Sequence, residues 1–238
     1  MKTLIQRLKE RKSQLDQSSF HALLKDSSLA PQDRIAFVPH MLFFVMGFRD
    51  MLRSLEDTSS NDPLQEIVNV HCEEDSTHWR WYLHDVKLLI SRSLVDPKAL
   101  DPEVIWSEEN WQIRNTVYET IRQCKEYDSP LMRLTVIQVL EATFDSFNDC
   151  ICHPVNDLEM RDELAYFGRM HLDAEEDHSF EDWLLVDEET YGQELEASKA
   201  EINQGRFVID SLFDAFDDMF ENWCQKGESS LSKISVAS

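Results

Sequence analysis

Residues 136–144 read Val-Ile-Gln-Val-Leu-Glu-Ala-Thr-Phe, so that one carboxylate, Glu141, lies in an otherwise apolar run. This density of apolar residues predicts a helix that is buried inside a helical bundle. A buried carboxylate is costly unless a cation neutralises it or it lies at a wet edge of the core. Glu141 is therefore the first candidate site residue, and an ordinary exposed glutamate is the alternative that this run alone leaves open.

The composition predicts an all-α protein. Only 5 of the 238 residues are glycine and 7 are proline, and residues that favour helices, such as leucine, glutamate and glutamine, are frequent. No internal repeat and no long linker divides the chain. We therefore expect a single-domain bundle of about seven helices over residues 1–226, followed by a disordered tail at 227–238.

Apolar periodicity and loop residues indicate where the helices lie along the chain. The most hydrophobic helix is apolar on nearly all sides, which is typical of a helix in the middle of a bundle. His153 and Pro154 are expected to form a turn. The expected helices span residues 1–25, 34–55 (the most hydrophobic), 64–91, 107–127, 130–152, 158–185 and 190–225.

The charge balance and the cysteines limit the partners and the compartment. The chain has 23 basic and 46 acidic side chains, a net charge of -23, which argues against a nucleic acid or an anionic membrane as the main partner. The odd number of cysteines, without repeated spacing or an N-terminal signal, predicts a reduced cytoplasmic protein. No apolar run approaches the roughly 20 residues that span a bilayer. We expect a soluble protein that acts on a small molecule, and a homodimer is left open.

A candidate metal-binding stripe lies at residues 171–178, His-Leu-Asp-Ala-Glu-Glu-Asp-His. In a helix, His171, Glu175 and His178 are four and then three residues apart and fall on one face. Imidazole and carboxylate groups are good ligands for divalent transition metal ions. A solvated acidic helix face that carries two histidines is the alternative.

A second cluster of candidate ligands lies in the first half of the chain. Asp75 and His78 are three residues apart and Glu74 and His78 are four apart, so either acid can share a helix face with His78. Asp75 is the favoured ligand of the two acids. His71, seven residues before His78, falls on the same stripe and stays an alternative ligand, whereas His84 falls off it.

Taken together, these clusters resemble the heme-oxygenase-like diiron oxidases and oxygenases, a family of helical bundles. The third core helix of that family carries His-x-x-x-(Asp/Glu)-x-x-His, which is similar to His171, Glu175 and His178 here. Its second core helix carries a lone glutamate, which is similar to Glu141. The pattern differs from that of ferritins, in which two helices repeat Glu-x-x-His.

The first core helix of the family carries a histidine that a glutamate often precedes, which is similar to His78 preceded by Asp75. Two departures are the shorter aspartate at 75 and the longer glutamate at 175, where the family more often has aspartate. The resemblance covers nearly the whole chain, and it implies that His171 serves one iron while Glu175 and His178 serve the other. The implied cofactor is two Fe(II) ions, held by Asp75, His78, Glu141, His171, Glu175 and His178, with Glu74 and His71 as alternates.

What the resemblance implies about function is oxidation with O2 as co-substrate. Members of the family act on fatty acids, amino acids and amines, with outcomes that include decarboxylation, carbon–carbon cleavage, N-oxygenation and nitrile formation. Aromatic residues are frequent on the helices that are expected to enclose the site, which favours a small hydrophobic substrate, in particular an aromatic amino acid. The candidate substrate-binding residues are Phe44, Phe48, Tyr82, Phe144 and Tyr166.

Three other functions are left open by the sequence. A metal-free enzyme on the same scaffold, similar to the thiaminase-like hydrolases or the quinone-cofactor synthase, needs a catalytic cysteine or a basic pocket. A diiron enzyme that decarboxylates fatty acids needs a long apolar tunnel. A non-enzymatic acidic interaction protein accounts for the charge but not for a buried Glu141.

Overall fold

The computed structural model describes residues 2–175 and 197–236, with side chains for 2–174 and 197–228. All regular structure within these ranges is helical, which confirms the all-α prediction. The α-helices are α1 (Lys2–Leu15), α2 (Ser19–Lys25), α3 (Leu42–Leu55), α4 (Pro63–Asp75), α5 (Trp79–Ser91), α6 (Trp111–Glu126), α7 (Pro130–Asp157), α8 (Arg169–Glu175) and α9 (Lys199–Val236). Short α-helical turns lie at Pro31–Arg34 and Pro102–Ile105, and 3-10 helices lie at Val38–Met41, Pro97–Leu100 and Glu108–Asn110.

Local sequence sets the starts of α2, α4 and α7. Ser18, Asp62 and Ser129 each accept a backbone N–H two or three residues further on, which caps the helix that follows. Pro63 and Pro130 come directly after two of these caps, where a missing N–H removes no helical hydrogen bond. A side-chain cap stabilises a helix by about 1 kcal/mol. These starts therefore need no tertiary contact to be specified.

Helix α7 lies at the centre of the bundle. It packs against α1, α2, α4, α6 and α9, and every residue from Leu134 to Thr143 is buried. A helix that is buried on all sides is stabilised mainly by the apolar surface it removes from water, at about 25 cal/mol per Å². The expectation of a buried helix around Glu141 is therefore confirmed.

The expected turn at His153 and Pro154 is wrong, because α7 continues to Asp157. A proline removes one helical hydrogen bond and crowds the turn before it, and both costs are smaller close to a helix end. The carbonyl of Pro154 accepts the N–H of Leu158 at 3.0 Å, which closes the last turn.

The C-terminal segment also differs from its prediction. The tail at 227–238 was expected to be disordered, but α9 continues through Gly227 to Val236. A Cβ at position 227 would lie 2.6 Å from Cδ2 of Leu23, so the missing side chain of Gly227 lets α9 approach α2 closely. Gly227 therefore permits close packing between α9 and α2 and does not end the helix.

The apolar segment expected as one helix over 34–55 is divided, since α3 begins only after the 3-10 turn Val38–Met41. Contrary to the expectation from the sequence, Pro31–Leu55 contains an 18-residue window with a mean hydropathy of 1.4, which by length and composition could span a bilayer. In the structure 44% of this window is buried in the bundle. Tyr82 also donates its hydroxyl to the carbonyl of Val38 at 2.9 Å. The segment therefore packs as part of the helical core.

Helices α3 and α6 pack closely at Gly47. A Cβ at this position would lie 2.8 Å from Cγ1 and 3.1 Å from Cγ2 of Val117. Val117 is itself buried, and a valine in a helix is largely restricted to one side-chain rotamer. An added methyl group at position 47 therefore has little space, and the two helices would have to move apart.

We expect Gly47→Ala to lower the free energy of unfolding by about 1–2 kcal/mol. Overpacking costs about 1–3 kcal/mol and outweighs the gain in helix propensity of at most about 1 kcal/mol. Urea unfolding followed by circular dichroism measures the change. In the Val117→Ala background the same substitution should have no cost or a small gain, and a stable Gly47→Ala single variant would contradict the close packing.

Candidate metal centre

A buried group of ionisable side chains joins α4 to α7. Nε2 of His71 lies 3.0 Å from Oδ2 of Asp75 and 3.2 Å from Oε1 of Glu141. The exposed fractions of the three residues are 0%, 4% and 7%. One ligand atom from each residue lies within 4.8 Å of the others, so within the described ranges this group could hold a metal ion.

The break between α4 and α5 shapes this group. Ser76 donates its hydroxyl back to the last turn of α4 at 2.8 Å, a local hydrogen bond that competes with helix continuation. The expected helix 64–91 is therefore divided, and His78 lies in the turn. Its Nδ1 is 3.7 Å from Oδ1 of Asp75, so His71 and His78 approach different oxygens of the same carboxylate.

The electrostatic balance of the group depends on His71. Burial by itself lowers the pKa of this imidazole, but the hydrogen bonds and charges of Asp75 and Glu141 outweigh burial and raise the pKa to about 11. Without a metal ion, His71 is therefore an imidazolium between two carboxylates. Buried carboxylates need such a partner, because an uncompensated buried charge costs several kcal/mol.

His171, on α8, lies beside His78 at the edge of this group. Its Nδ1 lies 2.9 Å from the carbonyl oxygen of Tyr166. Because a carbonyl only accepts hydrogen bonds, Nδ1 carries a proton, and in the neutral ring Nε2 holds the lone pair. Histidines that bind metal ions usually donate their other ring N–H to a carbonyl or carboxylate in this way. The His171 ring lies 4.7 Å from the ring of His78 and 4.5 Å from that of Phe144.

The expected helix 158–185 begins only at Arg169, after a loop that folds back on itself. A Cβ at Gly168 would collide with backbone carbonyl oxygens of the same loop, including that of Leu164. Only glycine permits such a close approach of two backbone segments. The loop therefore determines where α8 begins and where His171 lies.

Tertiary structure brings together most of the predicted metal ligands that it describes. They come from α4, from the turn after α4, from α7 and from α8. The side chain of Glu175 and the whole of His178 lie outside the described residues. The predicted ligands that line one cavity are Asp75, His78, Glu141 and His171.

The alternates separate clearly in the structure. Glu74 is exposed, whereas Asp75 is buried. His71, which the sequence offers as an alternative to Asp75 or Glu74, lies between the two carboxylates. The signal for this position was its spacing of four residues from Asp75. The His84 side chain, which the helical stripe excluded, is 61% exposed.

An apolar cavity lies beside the four ligand candidates, with about 60 Å³ of space for the centre of a water-sized sphere. Its polar wall consists of those ligands, and its other walls carry aromatic rings from α3, α5, α7 and α9. Among the substrate-binding candidates, Phe44, Phe48, Phe144 and Tyr166 line the cavity. Tyr82 does not, since its ring is fully buried in the core and its hydroxyl is bonded to a backbone carbonyl.

The donor set fits a divalent transition metal ion. Carboxylates from Asp75 and Glu141 and imidazoles from His71, His78 and His171 are the oxygen and nitrogen ligands that suit iron, manganese or zinc. Oδ1 of Asp75 is buried and makes no hydrogen bond with any described residue, which is unusual for a buried polar atom. A bound cation would satisfy this oxygen.

A scan against protein-family models found no match to the chain, and a search of curated proteins found no matching sequence. The interpretation of the site therefore depends on its own geometry and chemistry.

We expect His71→Ala to lower the free energy of unfolding of the metal-free protein by about 3–5 kcal/mol, because two buried carboxylates then lose their cationic partner. Urea unfolding in the presence of a chelator measures this loss. His153→Ala, at an exposed position of α7, is the control and should change stability by less than about 0.5 kcal/mol. Equal stability of the two variants would show that the His71 charge does not hold the group together.

Proposed function

We propose that this chain is a non-heme diiron oxidase or oxygenase that uses O2 to oxidise a small hydrophobic molecule. The observation that carries the proposal is the convergence of Asp75, His78, Glu141 and His171 on one wall of an aromatic cavity. Ligands from several helices that face into a bundle are the usual way in which carboxylate proteins hold two iron ions. A heme-oxygenase-like arrangement of the helices is part of the same proposal.

The proposed ligands are of two types, carboxylates that carry charge and imidazoles that are neutral donors. Asp75 and Glu141 would balance the charge of the cations, and His78 and His171 would supply neutral imidazole donors. The pattern His-x-x-x-Glu-x-x-His at residues 171–178 adds Glu175 and His178 to the proposed set. Fe(II) ions held by these residues would supply the electrons and the open coordination positions for the activation of O2.

The side chains around the ligands keep this wall of the cavity dry. The ring centroids of Phe144, Tyr166 and Trp81 lie 4.5, 4.7 and 5.5 Å from that of His171. His78 is stacked on Trp81 at 4.3 Å. Rings at these distances leave no room for water between them, and exclusion of water strengthens electrostatic interactions and limits side reactions.

The cavity supports a substrate with a compact apolar or aromatic body. Phe44, Phe48 and Phe144 present rings to it, and rings bind other rings in offset or edge-to-face arrangements. We therefore propose an aromatic amino acid as the substrate class, with carbon–carbon cleavage or nitrile formation among the outcomes.

A metal-free enzyme with a thiol nucleophile has less support. None of the five cysteines, all of which are described, lines the cavity. Burial raises the pKa of the thiols of Cys72 and Cys150 far above the usual range and that of Cys124 to about 12. A raised pKa suppresses the thiolate that attacks substrates.

One observation favours the alternative that the chain is a metal-free interaction protein. The imidazolium of His71 pairs with both Asp75 and Glu141, so it balances part of their charge without any metal ion. A purely structural ion pair of this type would serve an interaction protein as well as an enzyme. Direct measurement of metal binding separates this alternative from the diiron proposal.

We expect the purified chain to bind about two Fe(II) ions under anaerobic conditions, as di-iron carboxylate proteins do. Rapid mixing of the loaded protein with O2 and an aromatic amino acid should give an absorbance transient that depends on the substrate. Glu141→Ala and His171→Ala should each bind fewer ions and lose the transient, because each removes a proposed ligand. Circular dichroism checks that both variants keep their helical content.

Glu74→Ala and Asp75→Ala form a matched pair for this experiment. Glu74 is exposed and Asp75 is buried among the ligands, so only the substitution at 75 should reduce iron binding. Fewer than about two ions per wild-type chain under every condition together with no substrate-dependent transient, or full activity of His171→Ala, would reject the diiron proposal.

A further inference from the structure

A buried carboxylate outside the proposed ligand set holds the loop that precedes α8. Asp85 on α5 is fully buried. Its oxygens accept the backbone N–H groups of Ala165, Tyr166 and Phe167 at 2.8, 2.7 and 3.0 Å. Three consecutive amides that converge on one carboxylate form an anion-binding arrangement of the backbone. In this protein the Asp85 carboxylate occupies that anion-binding arrangement.

The loop held by Asp85 is the one that orients His171. The carbonyl oxygen of Tyr166 accepts the Nδ1–H of His171 at 2.9 Å, while the N–H of Tyr166 donates to Asp85 at 2.7 Å. Tyr166 is thus held at its amide and contacts His171 with its carbonyl. The backbone N–H of His171 also donates to the carbonyl of Ala165 at 3.1 Å.

The energetic weight of this contact is large. Hydrogen bonds to a charged group are stronger than those between neutral groups, and removal of a buried acceptor leaves its donors unsatisfied. Among the described residues, Oδ1 of Asp85 also contacts Nδ1 of His84 at 3.1 Å, from the exposed side. The backbone of residues 165–167 is therefore held by a carboxylate on a different helix, in addition to the packing of the Phe167 ring in the core.

We propose that Asp85 is the positioning residue of His171: through the Tyr166 carbonyl it fixes which ring nitrogen of His171 is protonated and directs the other nitrogen into the cavity. Its role concerns a proposed iron ligand, so the metal-binding part of the test rests on the proposed function. The state of the His171 ring itself does not depend on a metal ion.

The first measurement uses the metal-free full-length chain labelled with ¹⁵N-histidine. In the wild type the His171 resonances, identified by their loss in His171→Ala, should show a protonated Nδ1 that exchanges slowly with water. In Asp85→Asn the amide can accept with one oxygen only and brings donors of its own towards three N–H groups. The slowly exchanging Nδ1–H signal of His171 should therefore disappear.

The second measurement is the affinity for Co(II), followed by its visible absorption bands. Loss of the partner that orients a metal-binding histidine typically weakens metal binding about 10–100-fold. Asp85→Asn should show such a loss, and the same substitution in the His171→Ala background should have little further effect. A wild type that binds no Co(II) and no Fe(II) would reject the proposed function, and the histidine spectrum would still test the role of Asp85.

Asn110→Ala is the matched control. Asn110 is also a buried polar residue that fastens a loop, through a hydrogen bond from Nδ2 to the carbonyl of Val104 at 2.7 Å. Neither Asn110 nor Asp85 lines the cavity. This variant should lose stability, while both its His171 signal and its Co(II) affinity should stay at their wild-type values.

Wild-type values of both readouts in a folded Asp85→Asn variant would overturn the proposal. If that variant does not fold, Asp85→Glu is measured in its place, because it keeps the buried charge and displaces the carboxylate by one methylene. The displaced carboxylate should still alter the His171 signal. An unaltered signal and affinity in a folded Asp85→Glu, beside an unfolded Asp85→Asn, would assign Asp85 to the fold alone.

Discussion

The structure depends on the balance of charge around His71. Asp75 and Glu141 are carboxylates with exposed fractions of 4% and 7%, and two such groups side by side would be strongly destabilising without a cation. The imidazolium of His71 supplies that cation and ties α4 to α7, the central helix. A divalent metal ion beside the same carboxylates would meet the same need. One cluster therefore supports both the packing of the bundle and the proposed chemistry.

Two kinds of support surround this cluster. The cavity side is built from aromatic rings, which are large and rigid and exclude water from His78 and His171. The other support is polar: Asp85 holds three consecutive amides of the loop before α8. Leu164 and Phe167 of this loop are buried in the core, and the Asp85 carboxylate satisfies the backbone amides that burial removes from water. Apolar packing and hydrogen bonding thus converge on His171.

The prediction of the site from the sequence was limited because residue spacing shows which side chains share a helix face but not where the helix ends. Spacing showed that Asp75 or Glu74 could share a face with His78, but a continuous helix over 64–91 was assumed. The helix ends at Asp75, and the turn that follows returns His78 to the other oxygen of that carboxylate. Asp85 gave no sequence signal, because its partners are backbone amides about eighty residues further along the chain.

By itself the sequence determined the helical class, several helix starts and the burial of α7. Caps and prolines act on the next few residues, and an apolar run such as 134–143 has no face to turn towards water. Only the tertiary structure decided that His71 lies between Asp75 and Glu141 and that the Tyr166 carbonyl orients His171. The contact between His71 and Glu141 joins segments far apart in the chain, and the loop that brings the Tyr166 carbonyl to His171 is held by Asp85 on a distant helix, so both depend on how whole helices pack.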